Sequence, residues 1–207
     1  MLRDIIIKNV RIIDPSQNTD RVNDIRIINN KIAALNDEKI SSKTQLIDGE
    51  GCIATPGLID YHAHVFSDAT EGGVPADLCM LPNGVTTVVD AGSAGIANFD
   101  AFYRHVIAVS RVTIKAFIAA SPAGQTSGDE NHNPACFNAE KIKVFFSRYP
   151  DILQGIKLKV QTETVQEYHL SPLLKALEIA DDIGCRIAVH TTKPIVPTRA
   201  DASVFIL

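Results

Sequence analysis

Two histidines separated by one residue close a short apolar run, Ala54-Thr-Pro-Gly-Leu-Ile-Asp-Tyr-His-Ala-His64. On an extended strand side chains alternate, so His62 and His64 project to one face and Ala63 to the other. Two imidazoles on one face at a strand end can grip a divalent ion; a chance H-x-H hydrogen-bonded at a surface is the plain alternative. Other chemistry-bearing residues close further apolar runs. Asp90 ends Gly84-Val-Thr-Thr-Val-Val-Asp90, Lys157 and Lys159 lie in Gln154-Gly-Ile-Lys-Leu-Lys-Val160, and His190 ends Arg186-Ile-Ala-Val-His190. Lys157 and Lys159 share a strand face, so either could be the inward one. Asp90 reads either as a carboxylate orienting a neighbouring ligand or as a helix cap or loop anchor. His105 and His169 read as surface or packing residues. His132 reads as a solvated loop histidine, with substrate contact as its alternative.

The elements that must position these residues follow from local pattern. Residues 4–13 are rich in β-branched side chains and stop at Asp14-Pro15, a turn signal. Asn29-Asn30 between two apolar runs predicts a two-residue hairpin, and Gln45-Leu-Ile-Asp adds another strand. Residues 1–53 are therefore expected to form a β unit without helices. From residue 54 onward strands alternate with helical patterns. Pro56-Gly57 is a turn into the first strand, with Leu58 and Ile59 as its apolar body. Asn98 and Asn138 stand where helix N-caps belong, and Ser171-Pro172 to Gly184 is a helix with Leu173, Leu174, Leu177 and Ala180 on one face. The polar loop from Ser121 to Pro134 is long enough to carry function. Five such strand–helix units predict a parallel α/β architecture with its site at the C-terminal strand ends.

Composition narrows the function classes. With 45% hydrophobic and 21% charged residues the chain is globular, and a net charge of −4 gives no footprint for nucleic acid. No run reaches membrane-spanning length, so neither a membrane nor a nucleic-acid partner is expected, and a cytoplasmic location is. Cys52, Cys79, Cys136 and Cys185 are far apart, which predicts reduced, mostly buried thiols. A doubly wound nucleotide-binding sheet would need a G-x-G-x-x-G turn that Ala91-Gly-Ser-Ala-Gly95 does not supply.

In four segments the chain resembles the amidohydrolase superfamily of metal-dependent hydrolases. They are Pro56-Gly-Leu-Ile-Asp-Tyr-His-Ala-His64, Gly84-Val-Thr-Thr-Val-Val-Asp-Ala-Gly92, Gly155-Ile-Lys-Leu-Lys159 and Val189-His-Thr-Thr192, in the family's order and spacing. Asp90-Ala-Gly-Ser-Ala-Gly95 makes it look most like the dihydroorotase-related amidohydrolase/deacetylase group. The resemblance implies a (β/α)8 TIM-type barrel with a small β-sandwich portion at its N-terminal side. It also implies two divalent ions, usually zinc with manganese as the alternative. Carried over by motif position, His62 and His64 would bind the more buried ion, a carbamate on Lys157 would bridge both, and His190 would bind the more exposed one. The implied activity is hydrolysis of a C–N bond in an N-acyl amino acid or cyclic amide by metal-activated water.

A complete barrel of this type takes about 250 residues. The 207 residues here, roughly fifty of them in the β unit, leave room for about five βα units in 54–207, with a loop and a helical stub after His190. The family's sixth-strand histidine and eighth-strand aspartate, its general base, have no counterpart. The expectation is a truncated barrel, weakly active or inactive alone, with exposed strand edges and a tendency to form homo-oligomers. The alternative is a non-catalytic remnant serving as a binding or assembly partner.

Overall fold

The computed structural model describes residues 4–34, 42–126, 130–161, 166–191 and 204–206. Contacts divide the chain into two compact units, Met1–Gly57 and Leu58–Leu207. The division falls after Gly57 rather than after Ile53 because Ile53 and Ala54 pair with the first strand.

The first unit is a mixed sheet. Strand β1 (Asp4–Asp14) pairs antiparallel with β2 (Thr19–Ile28), which pairs antiparallel with β3 (Lys31–Ala33). On its other side β1 runs parallel to β4 (Gln45–Asp48) and β5 (Ile53–Ala54). Asp14 ends β1 by accepting the Ser16 N–H ahead of one 3-10 turn at Pro15–Gln17. Asn29 and Asn30 both take positive φ, 52° and 63°, the backbone a two-residue hairpin with native twist requires. Arg26 lies buried in this sheet against Asp4, which also accepts from Thr44.

In the second unit five parallel strands stand side by side. They are β6 (Leu58–Ala63), β7 (Val85–Ala91), β8 (Thr113–Ala119), β9 (Leu153–Lys159) and β10 (Arg186–His190). Helical connections cover the crossovers: α1 (Ala76–Cys79), α2 (Phe99–Phe102), α3 (Ala139–Arg148) and α4 (Ser171–Ile183). Strand β11 (Val204–Ile206) pairs antiparallel with β10, where a helical stub was expected. Its backbone satisfies groups that the β10 edge would otherwise leave open. The remainder of that expected stub lies outside the described residues. Among the described residues no helix is long and apolar enough to cross a membrane.

Burial explains why these segments adopt these elements. The interior strands β7 to β10 carry near-continuous apolar runs, with Val88, Ile114, Ala116, Ile118, Ile156, Leu158 and Ile187 fully or almost fully buried. Phe66, Phe99, Phe102 and Phe145 lie over them, with Phe66 and Phe102 stacked at 4.8 Å between centroids. Asn138 caps α3 by accepting the Lys141 N–H, and Gly184 ends α4 at φ 75°. Asn98 does not cap α2. Its side chain accepts from Gly95 N–H and donates to the Ala123 carbonyl, joining two strand-end loops, and the helix then widens into a π turn at Tyr103–Ile107.

Three further expectations are corrected. Of the expected α4 face, Ala180 is buried and Leu173 and Leu177 pack against the core, but Leu174 is 63% exposed, and Pro172, Ala176 and Ile179 are the other buried residues, α4 lying against β9 and β10. Leu58 and Ile59 are exposed, since β6 is the edge strand. All four cysteines are free as expected, but Cys52 and Cys79 are exposed, being placed in a turn and at a helix end, and none is fully buried.

Gly92 is where backbone conformation and packing meet. Its φ is +83°, and a Cβ there would stand 2.5 Å from Lys157 Cβ. Gly184, at a similar φ, would meet nothing within 4 Å. Gly92→Ala should therefore cost about 2–4 kcal/mol in urea unfolding, and Gly184→Ala only about 1 kcal/mol, the difference being the close approach to Lys157.

Candidate functional site

The strand ends collect the candidates. His62 is the penultimate residue of β6 and His64 lies just past its end. The pairing of β6 with β7 slips between Asp60 and Ala63, so one extra residue bulges there. A bulge re-aims the side chains around it, and the two rings end 5.7 Å apart between centroids, at 76°. The His62 N–H is held by Asp60 Oδ1 at 3.0 Å. His190 ends β10, and Lys157 lies one residue pair inside β9, whose partner across the ladder is Ala188.

Structure separates the two lysines that sequence left open. Lys157 is 1% exposed, and its Nζ has no hydrogen-bond partner; Lys159 sits two residues farther out, at the mouth. Burial pushes the Lys157 ammonium down to about 8, against the pull of Glu130 and Asp90. The same burial, reinforced by the Lys157 charge, lowers all three imidazoles. His64 is pushed to about 4, with His62 and His190 adding to the effect, and His62 and His190 move in the same direction. The four groups thus feel one another's charge and favour neutral rings with available lone pairs at neutral pH. Among the described residues no group of three or more His, Cys, Asp or Glu side chains is arranged to hold an ion by itself.

A cleft of about 410 Å³ opens at this end, lined by His64, His190, Lys159, Glu71, Gln125 and Glu130. A larger hollow of about 690 Å³ lies at the N-terminal ends of β9 and β10, near Pro150, Gln154 and Gly184, and carries no histidine or carboxylate. Glu130 is 6% exposed; Gln125 donates to its Oε1 at 3.1 Å while Oε2 is unpartnered. Burial raises its carboxyl, opposed by Gln125 and by the charges of Lys157 and Lys159. Ser121 and Thr191, just past β8 and β10, also bury hydroxyls without partners. Orphaned polar atoms past β8 and β10, with the Lys157 Nζ of β9 between them, mark a place suited to meet a ligand.

Sequence reasoning placed His62, His64, Lys157 and His190, and the structure brings them to one end of the sheet. Glu130 and Ser93 were missed. The length and polarity of the Ser121–Pro134 loop pointed toward the former, and the Asp-x-x-Ser spacing of a side-chain-closed turn toward the latter. Asp90 is a loop anchor: fully buried, it accepts from Val65 N–H, Ser93 N–H and Ser93 Oγ at 2.7–2.8 Å. His132 is buried at 8% exposure rather than solvated; His105 and His169 are exposed.

Fold and site together define a parallel βα protein whose imidazoles and buried lysine lie toward the carboxyl ends of its strands. The chain belongs to the amidohydrolase family, whose model matches residues 53–196. A deacetylase of Agrobacterium fabrum is 29% identical over 168 residues, covering 79% of this chain and 41% of the deacetylase. A dihydroorotase crystal structure superposes with a TM-score of 0.84 at 25% identity, over 93% of this chain and 52% of that one. For an adenine deaminase structure the values are 0.74, 25%, 94% and 51%. The chain thus spans about half the length of these solved relatives, and less of the deacetylase.

A buried, unpaired ammonium opposes folding. The depressed pKa means that below pH 8 the folded state holds a charge it disfavours by about 3 kcal/mol relative to the unfolded chain, and that this disadvantage is relieved as pH rises from about 8 toward 10.5. Lys157→Met should therefore raise unfolding free energy at pH 7 by about 1–3 kcal/mol, and its advantage should shrink in the same urea titration repeated up to pH 10.

Proposed function

We propose that this chain carries the metal-binding half of an amidohydrolase acting on a C–N bond of a small amide, an N-acyl amino acid or cyclic amide. The observation that carries the reading is Lys157: a buried amine without a hydrogen-bond partner, whose charge is felt by His62, His64 and His190. In its neutral form the amine adds to CO₂, forming an N–C bond and releasing one proton. The resulting carbamate is an anion with two donor oxygens, which an ammonium cannot be. His62 and His64, Lys157 as carbamate, and His190 would then hold one or two divalent ions, zinc or manganese. Such ions supply Lewis acidity toward a carbonyl and acidify water.

The chain's own residues do the rest. Neutral imidazoles at His62, His64 and His190 keep lone pairs free at neutral pH. Lys159 on one hand and Glu71 and Glu130 on the other give the cleft wall a lysine and two carboxyl groups, able to orient a polar substrate, and Gln125 holds the Glu130 carboxyl. A cleft of about 410 Å³ suits a small molecule. The five parallel strands would form the first part of a (β/α)8 barrel. The names deacetylase, dihydroorotase and adenine deaminase among the relatives support C–N bond hydrolysis without choosing a substrate.

Calorimetric titration of the chelator-treated 207-residue chain with Zn²⁺ and Mn²⁺ is the test, followed by hydrolysis assays on N-acetyl amino acids and small cyclic amides. The expected result is stoichiometric metal binding, weakened about 100-fold or more by the paired change His62→Ala and His64→Ala. Absence of metal binding by the wild type contradicts the reading, and a tight dimer without metal or turnover favours the non-catalytic alternative.

A further inference from the structure

The geometry points to Asp90 and Ser93 as positioning residues that fix the tautomer of His64, leaving its Nε2 as the nitrogen with the free lone pair. Ser93 Oγ lies 2.7 Å from Asp90 Oδ2 and 3.0 Å from His64 Nδ1. A hydroxyl has a single proton, so the two contacts use it in only one way at a time. Both Asp90 oxygens already accept backbone N–H groups, Oδ1 from Ser93 and Oδ2 from Val65, which fixes the carboxyl as the acceptor. Ser93 therefore donates to Asp90 and accepts from His64, so the imidazole proton resides on Nδ1. An unconstrained neutral histidine prefers the opposite form, with the proton on Nε2.

The pieces are rigidly held. Asp90 and Ser93 are fully buried. The Ser93 backbone is gripped on both sides, its N–H by Asp90 and its carbonyl by the Gln125 N–H at 3.1 Å. The loops after β7 and β8 are further joined from Ala119 N–H to the Ala94 carbonyl and from Ala97 N–H to the Pro122 carbonyl. Removing the hydroxyl alone leaves all of these backbone bonds in place. Asp90 thus acts on His64 through Ser93, one step farther out than the direct carboxylate–histidine pairing common around metals.

The consequence for metal affinity rests on the reading of His64 as a ligand, whereas the tautomer is a property of the metal-free chain. The experiment uses the ¹⁵N-labelled, chelator-treated 207-residue protein at pH 8, with His64 assigned through a His64→Gln variant. Two-bond ¹H–¹⁵N correlation spectra distinguish the tautomers. The expected result is an Nδ1–H pattern for wild-type His64 and a shift toward Nε2–H in Ser93→Ala, with Zn²⁺ affinity reduced about 10–100-fold and the remaining spectrum preserved. An Nε2–H pattern in the wild type, or an unchanged pattern in Ser93→Ala, overturns the proposal. If the tautomer shifts as expected but the wild type binds no Zn²⁺, the metal reading fails and the relay stands.

Discussion

A primary amine enclosed in the middle of a parallel sheet, without a hydrogen-bond partner, is the constraint on which the strand-end region turns. Lys157 is flanked by buried Ile156 and Leu158, and the backbone at Gly92 passes so close to its stem that no side chain fits there. Such a group weakens the fold unless something replaces its lost solvation. It lowers the proton affinity of the histidines and is itself drawn toward Glu130 and Asp90. The structure tolerates this arrangement in the way functional sites do, with instability confined to a small region and a large apolar core elsewhere.

Around that amine the site runs from the cleft wall to the interior. His190, Lys159 and Glu130 border the cleft, His64 reaches from the cleft toward the interior, and Ser93 and Asp90 lie wholly inside. Each layer depends on the one beneath it. Asp90 holds the turn after β7 and the chain after His64 at once, since the Val65 and Ser93 N–H groups share its carboxyl. The strand-end loops are joined to one another by backbone bonds, so the candidate residues are borne on a network rather than on independent loops.

Local signals made much of the fold legible. Strand endings at Asp14, Asp90 and His190, the Asn29-Asn30 hairpin, the Asn138 cap and the Gly184 terminus each depend on a few neighbouring residues, and each is found. The readings that changed are decided by distant partners. Asn98 gives up capping because Gly95 and Ala123 offer its amide better-placed partners. Leu174 is exposed because β9 and β10 select another face of α4, and β11 exists because the β10 edge was open. His62, His64 and His190 were visible because each stands at or near the end of an apolar run, and Lys157 because of its place in the Gly155-Ile-Lys motif. Choosing Lys157 over Lys159 from spacing was impossible, since both share a face. Ser93, Glu130 and the bulge beside His62 are set by contacts spanning loops that periodicity does not describe.

In the proposed function Lys157 is buried in order to become an anionic ligand. ¹³C NMR of the full chain in ¹³C-bicarbonate, with and without Zn²⁺, tests it directly. The expected result is a carbamate resonance that grows to one equivalent when Zn²⁺ is added and is missing in Lys157→Met. Zinc bound stoichiometrically with no carbamate signal would contradict it.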